Sequence, residues 1–304
     1  MQLIVPAYFN IYYNPLEPSS YPKNKNVLGT TQFMQLLYSC CLDWGIREIE
    51  LDFRFIEKFT SAASTALFAH IYHLQQVSQT KFTFNFHQAS EQLKLFKIAL
   101  NANNEQKLQN LEKSFHPWQS GCIVNDKINH IIEYFNHLRN ELNLGTEAKN
   151  TLSLLQTAIY EALMNVQDHA YLGDKAHFEK RWWQMLWCSN RNNQTLLNFI
   201  IYDLGVGVVE SYQQHNQKKI SPLLQHPTLI FQDAVKLGNS RSGEIERGNG
   251  LYEMLRPLEQ KQVALWMYAN NVLLRKVPQD NIDDCNIVPF SLPGTLIEWT
   301  FSLE

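Results

Sequence analysis

The sequence of 304 residues contains no long hydrophobic run and no block of basic residues. Since a membrane-spanning helix needs about 18 or more consecutive apolar residues, we expect no membrane contact. The chain has 26 basic and 29 acidic residues and a net charge of −3. A nucleic-acid partner requires a concentrated positive surface, so this charge balance argues against one.

Cysteine is scarce, and its spacing excludes a disulfide framework. The five cysteines are an odd number and show no C-x-x-C pair, which is typical of a reducing compartment. The first residues lack the basic start of a signal peptide and include Pro6, so we expect a cytoplasmic protein. His70 and His73 share one helical face without a third ligand nearby, and no metal site is predicted there.

The first half of the chain alternates between helical and strand periodicity, which predicts an α/β layer of about 100 residues. The predicted helices cover residues 31–41, 61–77 and 90–100, and the predicted strands cover residues 46–53 and 81–86. A polar segment at 101–106 and a Pro/Gly segment at 115–121 then interrupt the pattern. We therefore expect two domains, residues 1–120 and 121–304.

The segment Phe59-Thr60-Ser61-Ala62-Ala63 stands between a predicted strand and a predicted helix. It resembles the corresponding loop of STAS domains, the fold of anti-sigma-factor antagonists. The family loop usually has an Asp before its hydroxyl residues and a Gly after them, and both are missing here. The resemblance implies a phosphorylatable hydroxyl at Thr60, Ser61 or Ser64. The alternative is that Thr60 or Ser61 caps the helix, as such residues commonly do.

In the second half, the pattern predicts helices over residues 125–140 and 148–171 and strands over residues 182–188, 196–202, 263–268 and 296–301. The second of these helices carries Glu161, Asn165 and His169. Residues four apart lie on one helical face, so a carboxylate and an amide are stacked one turn apart and the imidazole extends the row. A neighbouring stripe of apolar residues is expected to face a core. The stripe consists of Leu152, Ile159, Leu163, Val166 and Ala170.

Three glycine motifs follow this helix. They read Asp203-Leu-Gly205-Val-Gly207, Gly248-Asn249-Gly250-Leu251 and Gly294-Thr295. Asp203 closes an apolar run that reads as a buried strand, and the glycines after it allow a tight turn or a close backbone approach. The second motif opens a helix, where free N–H groups favour an anion.

Taken in this order, the four pieces resemble the N box, G1 box, G2 box and closing Gly-Thr motif of the GHKL ATPase superfamily. That superfamily includes histidine kinases, gyrase-type topoisomerases, mismatch-repair ATPases and anti-sigma-factor serine kinases. The resemblance implies an α+β protein in which a STAS-like layer precedes a Bergerat-type α/β sandwich that binds ATP with Mg²⁺. Tyr252 replaces the glycine that often follows Leu251, a variant closer to the anti-sigma kinases.

The resemblance also implies a role for each matching residue. Glu161 would be the general base, Asn165 would hold Mg²⁺ against the ATP phosphates, and Asp203 would accept a hydrogen bond from the adenine amine. The remaining nucleotide-binding positions are His169, Gly205, Gly207, Ser240, Arg241, Gly248, Asn249, Gly250, Leu251 and Thr295. Among them, Ser240 and Arg241 belong to a lid-like segment that would reach the triphosphate.

Two functions fit these expectations. The first is a Mg-ATP-dependent serine/threonine kinase or slow ATPase that acts in signalling on a protein partner. The second is a non-catalytic switch whose nucleotide occupancy selects the exposed partner surface. No segment resembles a histidine-kinase dimerisation helix, and no gyrase-type transducer follows Thr295, so strong autonomous hydrolysis is not expected.

The strand around residues 182–187 is apolar at both odd and even positions, which predicts that both of its faces are covered. The cover would be the N-terminal domain or a second subunit of a homodimer. The alternative is a local tryptophan cluster at a strand end.

Overall fold

The computed structural model describes residues 1–86, 119–122, 136, 145–175, 180–191, 194–216, 226–236, 250–260, 263–277 and 282–302. Over these residues the protein mixes helices and strands, which confirms the predicted α+β class at that level. The chain divides into two compact units. One is Met1–Lys107 with Val288–Phe290, and the other is Leu108–Ile287 with Ser291–Glu304. None of the described helices is long and apolar enough to cross a membrane.

The first unit is built on a three-stranded parallel sheet in the order β1-β3-β5 and a short parallel pair, β2-β4. Its elements are β1 Gln2–Ile4, β2 Tyr8–Phe9, α1 Pro22–Tyr38, β3 Glu48–Asp52, β4 Lys58–Phe59, α2 Ser61–Ser78 and β5 Lys81–Asn85. Helix α2, β3 and β5 agree with the sequence prediction. Helix α1 begins earlier than predicted, at a proline, which is tolerated there because the first turn needs no N–H donor. The helix predicted over residues 90–100 lies outside the described residues.

The start of α2 differs from what the sequence predicted for its hydroxyl residues. Thr60 has the extended backbone of an N-cap, but its side chain makes no capping hydrogen bond. The hydroxyl donates instead to the carbonyl of Phe9 at 3.4 Å, and the Ser64 hydroxyl donates to the carbonyl of Ser61 at 2.8 Å. The capping role predicted for Thr60 is therefore wrong, because the neighbouring strand takes its hydroxyl. All three hydroxyl residues at this helix start are buried.

The second unit contains a five-stranded antiparallel sheet in the order β6-β7-β8-β10-β9. Its strands are β6 Gln119–Cys122, β7 Arg181–Arg191, β8 Gln194–Asp203, β9 Val263–Val277 and β10 Ile282–Ser302. Its described helices are α3 Thr146–Asn165, α4 Val208–Asn216, α5 Pro227–Ala234 and α6 Gly250–Leu255. The helix predicted over residues 125–140 falls almost wholly outside the described residues.

Strands β9 and β10 continue well beyond the segments 263–268 and 296–301 that the sequence predicted. The added length is a hairpin in which two of the cross-strand pairs are charged. Arg275 pairs with Asp284, and Lys276 lies 3.0 Å from Asp283. Opposite charges across an antiparallel pair stabilise it, but they hide the apolar signal by which a strand is read from sequence.

Helix α3 packs on this sheet through its apolar stripe. The five stripe residues predicted to face a core are all buried in one cluster with side chains of β8, β9 and β10, which confirms that prediction. Trp299 of β10 donates from its indole nitrogen to the carbonyl of Met254 at 3.1 Å and so joins α6 to the sheet. On β7, Trp182 and Trp183 are both buried, so both strand faces are covered within one chain. A second subunit is not required for that burial.

Candidate functional site

Helix α3 carries the first motif and changes form directly after it. Regular α-helix ends at Asn165, and a π turn follows over Val166–Ala170. A π turn bonds i to i+5, so the four-residue row through Glu161 and Asn165 does not continue regularly to His169. His169 lies within this turn and is partly buried. Single π turns inside helices occur frequently at functional sites.

Glu161 and Asn165 face the glycine that opens α6. A β-carbon on Gly250 would lie 2.8 Å from Oε2 of Glu161 and 3.5 Å from Nδ2 of Asn165. A larger residue at this position would displace the end of the Glu161 side chain, so glycine lets the backbone lie close to both side chains. The helix motif with Glu161 and Asn165 and the Gly248–Leu251 motif therefore lie close together at Gly250, although Asn165 and Gly250 are 85 positions apart in the sequence.

The Asn165 amide is incompletely satisfied by the protein. Its Nδ2 atom is buried and has no hydrogen-bond partner among the residues that the structure describes. A buried polar group without a partner is costly, and in native proteins it commonly marks a place that something else completes. The amide faces Gly250 with both its nitrogen and its oxygen, which lie 3.5 and 3.8 Å from the β-carbon position.

The Glu161 carboxylate occupies an environment that disfavours its charge. Burial raises its pKa, and the negative charge of Glu253 on α6 raises it further. Glu253 in turn pairs with Arg256 at 2.9 Å. A carboxylate whose pKa is raised toward neutrality is better suited to accept a proton than a fully solvated one.

Asp203 ends strand β8 and stands opposite Thr295 of β10 in the sheet register. Its side chain is nearly inaccessible, with 5% of the residue exposed. The amide of Gly205 donates to Oδ1 at 2.8 Å, and the amide of Thr295 also donates to the carboxylate. Burial outweighs these hydrogen bonds and raises the pKa of Asp203 from 3.8 to about 7.

Glycine is required at two points around Asp203 because backbones meet there. A β-carbon on Gly205 would overlap the carbonyl group of Ala170, at the end of the π turn. A β-carbon on Gly294 would overlap the carbonyl of Asp203, and Gly294 also has a φ of +80°. The turn after α3 therefore touches the Asp203–Gly207 motif at Ala170, and the Asp203–Gly207 motif touches the Gly294-Thr295 motif at Asp203.

Gly207 has a φ of +83°, and a β-carbon there would lie 2.9 Å from Nδ2 of Asn270. Asn270 also has a left-handed backbone, with φ 56°, and it donates to the carbonyl of Val206 at 2.8 Å. It lies where the register of β9 and β10 shifts. The sequence analysis missed this residue, although an Asn-Asn pair inside an apolar strand is a signal for such an irregularity.

The structure therefore joins four motifs that are far apart in the sequence. The first lies against Gly250 through Glu161 and Asn165, and its end touches Gly205 through Ala170. Leu251 lies beside these contacts and packs against the core. Four predicted positions, Ser240, Arg241, Gly248 and Asn249, fall outside the described residues.

Two further polar residues next to Asp203 were not predicted. Lys175 donates to the carbonyls of Leu204 and Gly205, and the Tyr171 hydroxyl lies 3.4 Å from the amide nitrogen of Leu204. Burial raises the pKa of Tyr171, and the charge of Asp203 adds to that increase. Neither residue belongs to a recognisable motif. In the sequence, a lysine after Gly-Asp is typical of an ordinary solvated charge.

The residues at Asn165 fit a magnesium ion that is carried mainly by another group. An amide oxygen is a suitable hard ligand, and Mg²⁺ usually takes only one or two protein ligands besides waters and phosphate oxygens. Over the described residues, no three His, Cys, Asp or Glu side chains group as a metal site. The oxygen Oδ1 is the atom of Asn165 that could ligate the ion, whereas its Nδ2, which has no partner among the described residues, is a donor and cannot.

The chain matches no protein-family model, no curated protein and no solved structure.

Proposed function

We propose that the second unit is a GHKL-type ATP-binding domain and that the protein is a regulatory Mg-ATP-binding protein. The observation that carries this proposal is the meeting of the four motifs at one end of the sheet. Glu161 and Asn165 contact Gly250, Ala170 contacts Gly205, and Asp203 pairs with Thr295 beside Gly294. Chance likeness of four short motifs would not lead their functional positions into mutual contact.

Asp203 supplies the base specificity in this proposal. Its carboxylate is held by backbone amides at the end of β8 and is shielded from water. The exocyclic amine of adenine donates a hydrogen bond, whereas guanine has a carbonyl oxygen at the equivalent position. An acceptor fixed here therefore favours adenine, and two acceptors facing each other disfavour guanine.

Asn165 and Glu161 act at the phosphate end. The Asn165 amide would hold Mg²⁺, which would neutralise charge on the ATP phosphates. Glu161 is one helical turn away, and its raised pKa suits the acceptance of a proton from an attacking water or hydroxyl. The approach of Gly250 to both side chains brings the G2 backbone to the same place.

The first unit supports a signalling role. Its parallel sheet β1-β3-β5 and the buried helix α2 are consistent with a STAS-like domain, the kind of module that binds regulatory kinases. We infer a cytoplasmic protein that acts through a protein partner. The activity is a serine/threonine kinase or slow ATPase, and the second candidate is a nucleotide-gated switch without turnover. Glu161 favours the first, because nucleotide binding alone does not need a partly buried carboxylate beside Gly250.

Release of phosphate from Mg-ATP by the purified full chain tests the catalytic form of the proposal. Glu161→Gln keeps the size of the side chain beside Gly250 and removes its basicity. We expect the rate to fall by roughly 10²- to 10⁴-fold, with ATP affinity retained. The matched control is Glu147→Gln, an exposed glutamate in the first turn of α3, which should leave the rate unchanged.

Three results would change this conclusion. ATP binding by the wild type without measurable phosphate release, alone or with a co-purified partner, would support the nucleotide-gated switch. A rate that is equal in wild type and Glu161→Gln would exclude Glu161 as the base. Absence of ATP binding in the wild type would remove both candidate functions.

A further inference from the structure

Lys175 ends a 3-10 turn, Gly173–Lys175, that follows the π turn of the N box. Its ammonium group donates to the carbonyl of Leu204 at 2.6 Å and to that of Gly205 at 2.7 Å. These carbonyls belong to the two residues that follow Asp203. The side chain is partly buried, and an ammonium is costly to remove from water unless the protein provides acceptors and negative charge.

The loop that Lys175 holds is also tied on its other sides. The amide of Gly205 donates to the Asp203 carboxylate at 2.8 Å, and the amide of Val206 donates to the Ala170 carbonyl at 2.7 Å. Lys175 supplies the positive charge in this set. The ammonium donates to carbonyls of the turn that contains Gly205, and the Gly205 N–H orients the Asp203 carboxylate. The position of the ammonium is therefore coupled to the orientation of the carboxylate.

We propose that Lys175 is a positioning residue for adenine recognition, because its ammonium fixes the Asp203–Gly205 turn and places a positive charge beside the Asp203 carboxylate. This inference rests on the proposed function, in which Asp203 reads the adenine amine. A charged carboxylate accepts a hydrogen bond more strongly than a protonated one. Lys175 therefore helps to keep the Asp203 carboxyl group ionised at neutral pH, which is the form that accepts the hydrogen bond more strongly.

The charges around the pair agree with this role. Burial raises the pKa of Asp203, and the positive charge of Lys175 opposes that effect. Burial lowers the pKa of Lys175, whereas the negative charges of Asp203 and Glu210 on α4 raise it. The other titratable group facing Asp203 is Tyr171, which also feels the positive charge of Arg181 on β7. Without the positive charge of Lys175, the effect of burial on Asp203 is less opposed, so the pKa of Asp203 should rise.

The experiment compares Lys175→Met, Lys175→Gln and Lys175→Arg with the wild-type full chain. Met removes charge and donors, Gln keeps a donor without the charge, and Arg keeps both. Lys149→Met is the matched control, because this lysine is exposed near the other end of α3. The first readout is the titration midpoint of the Asp203 carboxyl by ¹³C NMR without nucleotide, with the signal assigned from Asp203→Asn.

We expect the Asp203 midpoint to rise by about one pH unit in the Met and Gln variants and to stay near the wild-type value in the Arg and Lys149 variants. The second readout is calorimetry with Mg-ATP across the same pH range. At pH 7, where about half of the wild-type carboxylate is ionised, the Met and Gln variants should bind ATP about fivefold more weakly, and the deficit should shrink at pH 9 as Asp203 ionises.

An unchanged Asp203 midpoint in both Met and Gln variants overturns the proposal, even if their melting temperatures fall. A moved midpoint with an ATP affinity that has the wild-type pH dependence also overturns it, since the charge would then not serve recognition. If the wild type does not bind ATP while the midpoint moves, the proposed function is wrong, and so is a recognition role for Lys175. The NMR result would then still show the charge coupling of Lys175 and Asp203.

Discussion

Asp203→Asn provides the sharpest test of whether the buried carboxylate serves recognition or structure. The substitution keeps the size of the side chain and an oxygen that can accept from the Gly205 amide, but it removes the charge. Burial raises the folded-state pKa of Asp203 to about 7 from an ordinary value of 3.8. At pH 8 the ionised carboxylate therefore destabilises the fold by about 4 kcal/mol relative to its neutral form.

The sign of the pH dependence follows from that raised pKa. Between pH 3.8 and about 7 the folded state keeps a proton that the unfolded state has lost. The free energy of unfolding therefore falls as pH rises through this window and is level above it. Relative to Asp203→Asn, the wild type should lose roughly 3 kcal/mol of stability between pH 5 and pH 8. Above pH 7 the variant should be the more stable protein.

Urea unfolding at pH 5 and pH 8 measures this difference. Tryptophan fluorescence reports on unfolding of the second unit, which contains Asp203, because Trp182, Trp183 and Trp299 are all buried in that unit. Asp174→Asn is the control, since it removes the same charge from an exposed residue nearby. In parallel, Asp203→Asn should weaken ATP binding by roughly 10- to 150-fold, the loss of one charged hydrogen bond.

A different result would refute the reasoning. If the stability difference between wild type and Asp203→Asn is the same at both pH values, the carboxylate does not carry the raised pKa. If the variant is less stable at pH 8 and binds ATP as the wild type does, Asp203 is an ordinary turn residue. Recognition would then have to be located elsewhere.

Two further predictions concern residues of the other motifs. Asn165→Ala should leave the melting temperature equal or higher, because its Nδ2 has no hydrogen-bond partner among the described residues, yet it should abolish Mg²⁺-dependent ATP binding. The control, Asn150→Ala on the exposed side of α3, should change neither quantity. Equal ATP binding by both variants would exclude the magnesium role. Gly294→Ala should destabilise the protein by more than about 2 kcal/mol, because its φ is +80° and the added carbon meets the Asp203 carbonyl. Gly29→Ala, in open space within α1, should stabilise it by about 0.5–1 kcal/mol, and equal effects of the two glycine variants in urea unfolding would contradict the close approach at Gly294.

The sequence predicted the elements whose burial is one-sided and strongly periodic. The stripe of α3 from Leu152 to Ala170 was read correctly because each member faces one core. The hairpin at the ends of β9 and β10 was missed, since Arg275 and Asp284 stabilise it by pairing across strands that lack apolar alternation. Residues 166–170 read as ordinary helix because nothing in their side chains distinguishes a π turn from an α turn.

The candidate site divides in the same way. The sequence analysis singled out Glu161, Asp203 and Gly250, because the chemistry proposed for them requires particular residue types at recognisable spacings. Lys175 and Asn270 could not, since each acts on backbone carbonyls that only the folded chain brings near. The contact of Ala170 with Gly205 is likewise a product of tertiary packing, and it depends on the absence of a side chain.

Calorimetric titration of the wild-type full chain with ATP and with GTP, each with Mg²⁺, tests the central claim most directly. The account predicts that ATP binds and that GTP binds at least about tenfold more weakly, because an acceptor at Asp203 faces the guanine carbonyl. In Asp203→Asn the two affinities should approach each other. Equal affinity of the wild type for ATP and GTP, or no binding of either, would contradict the claim.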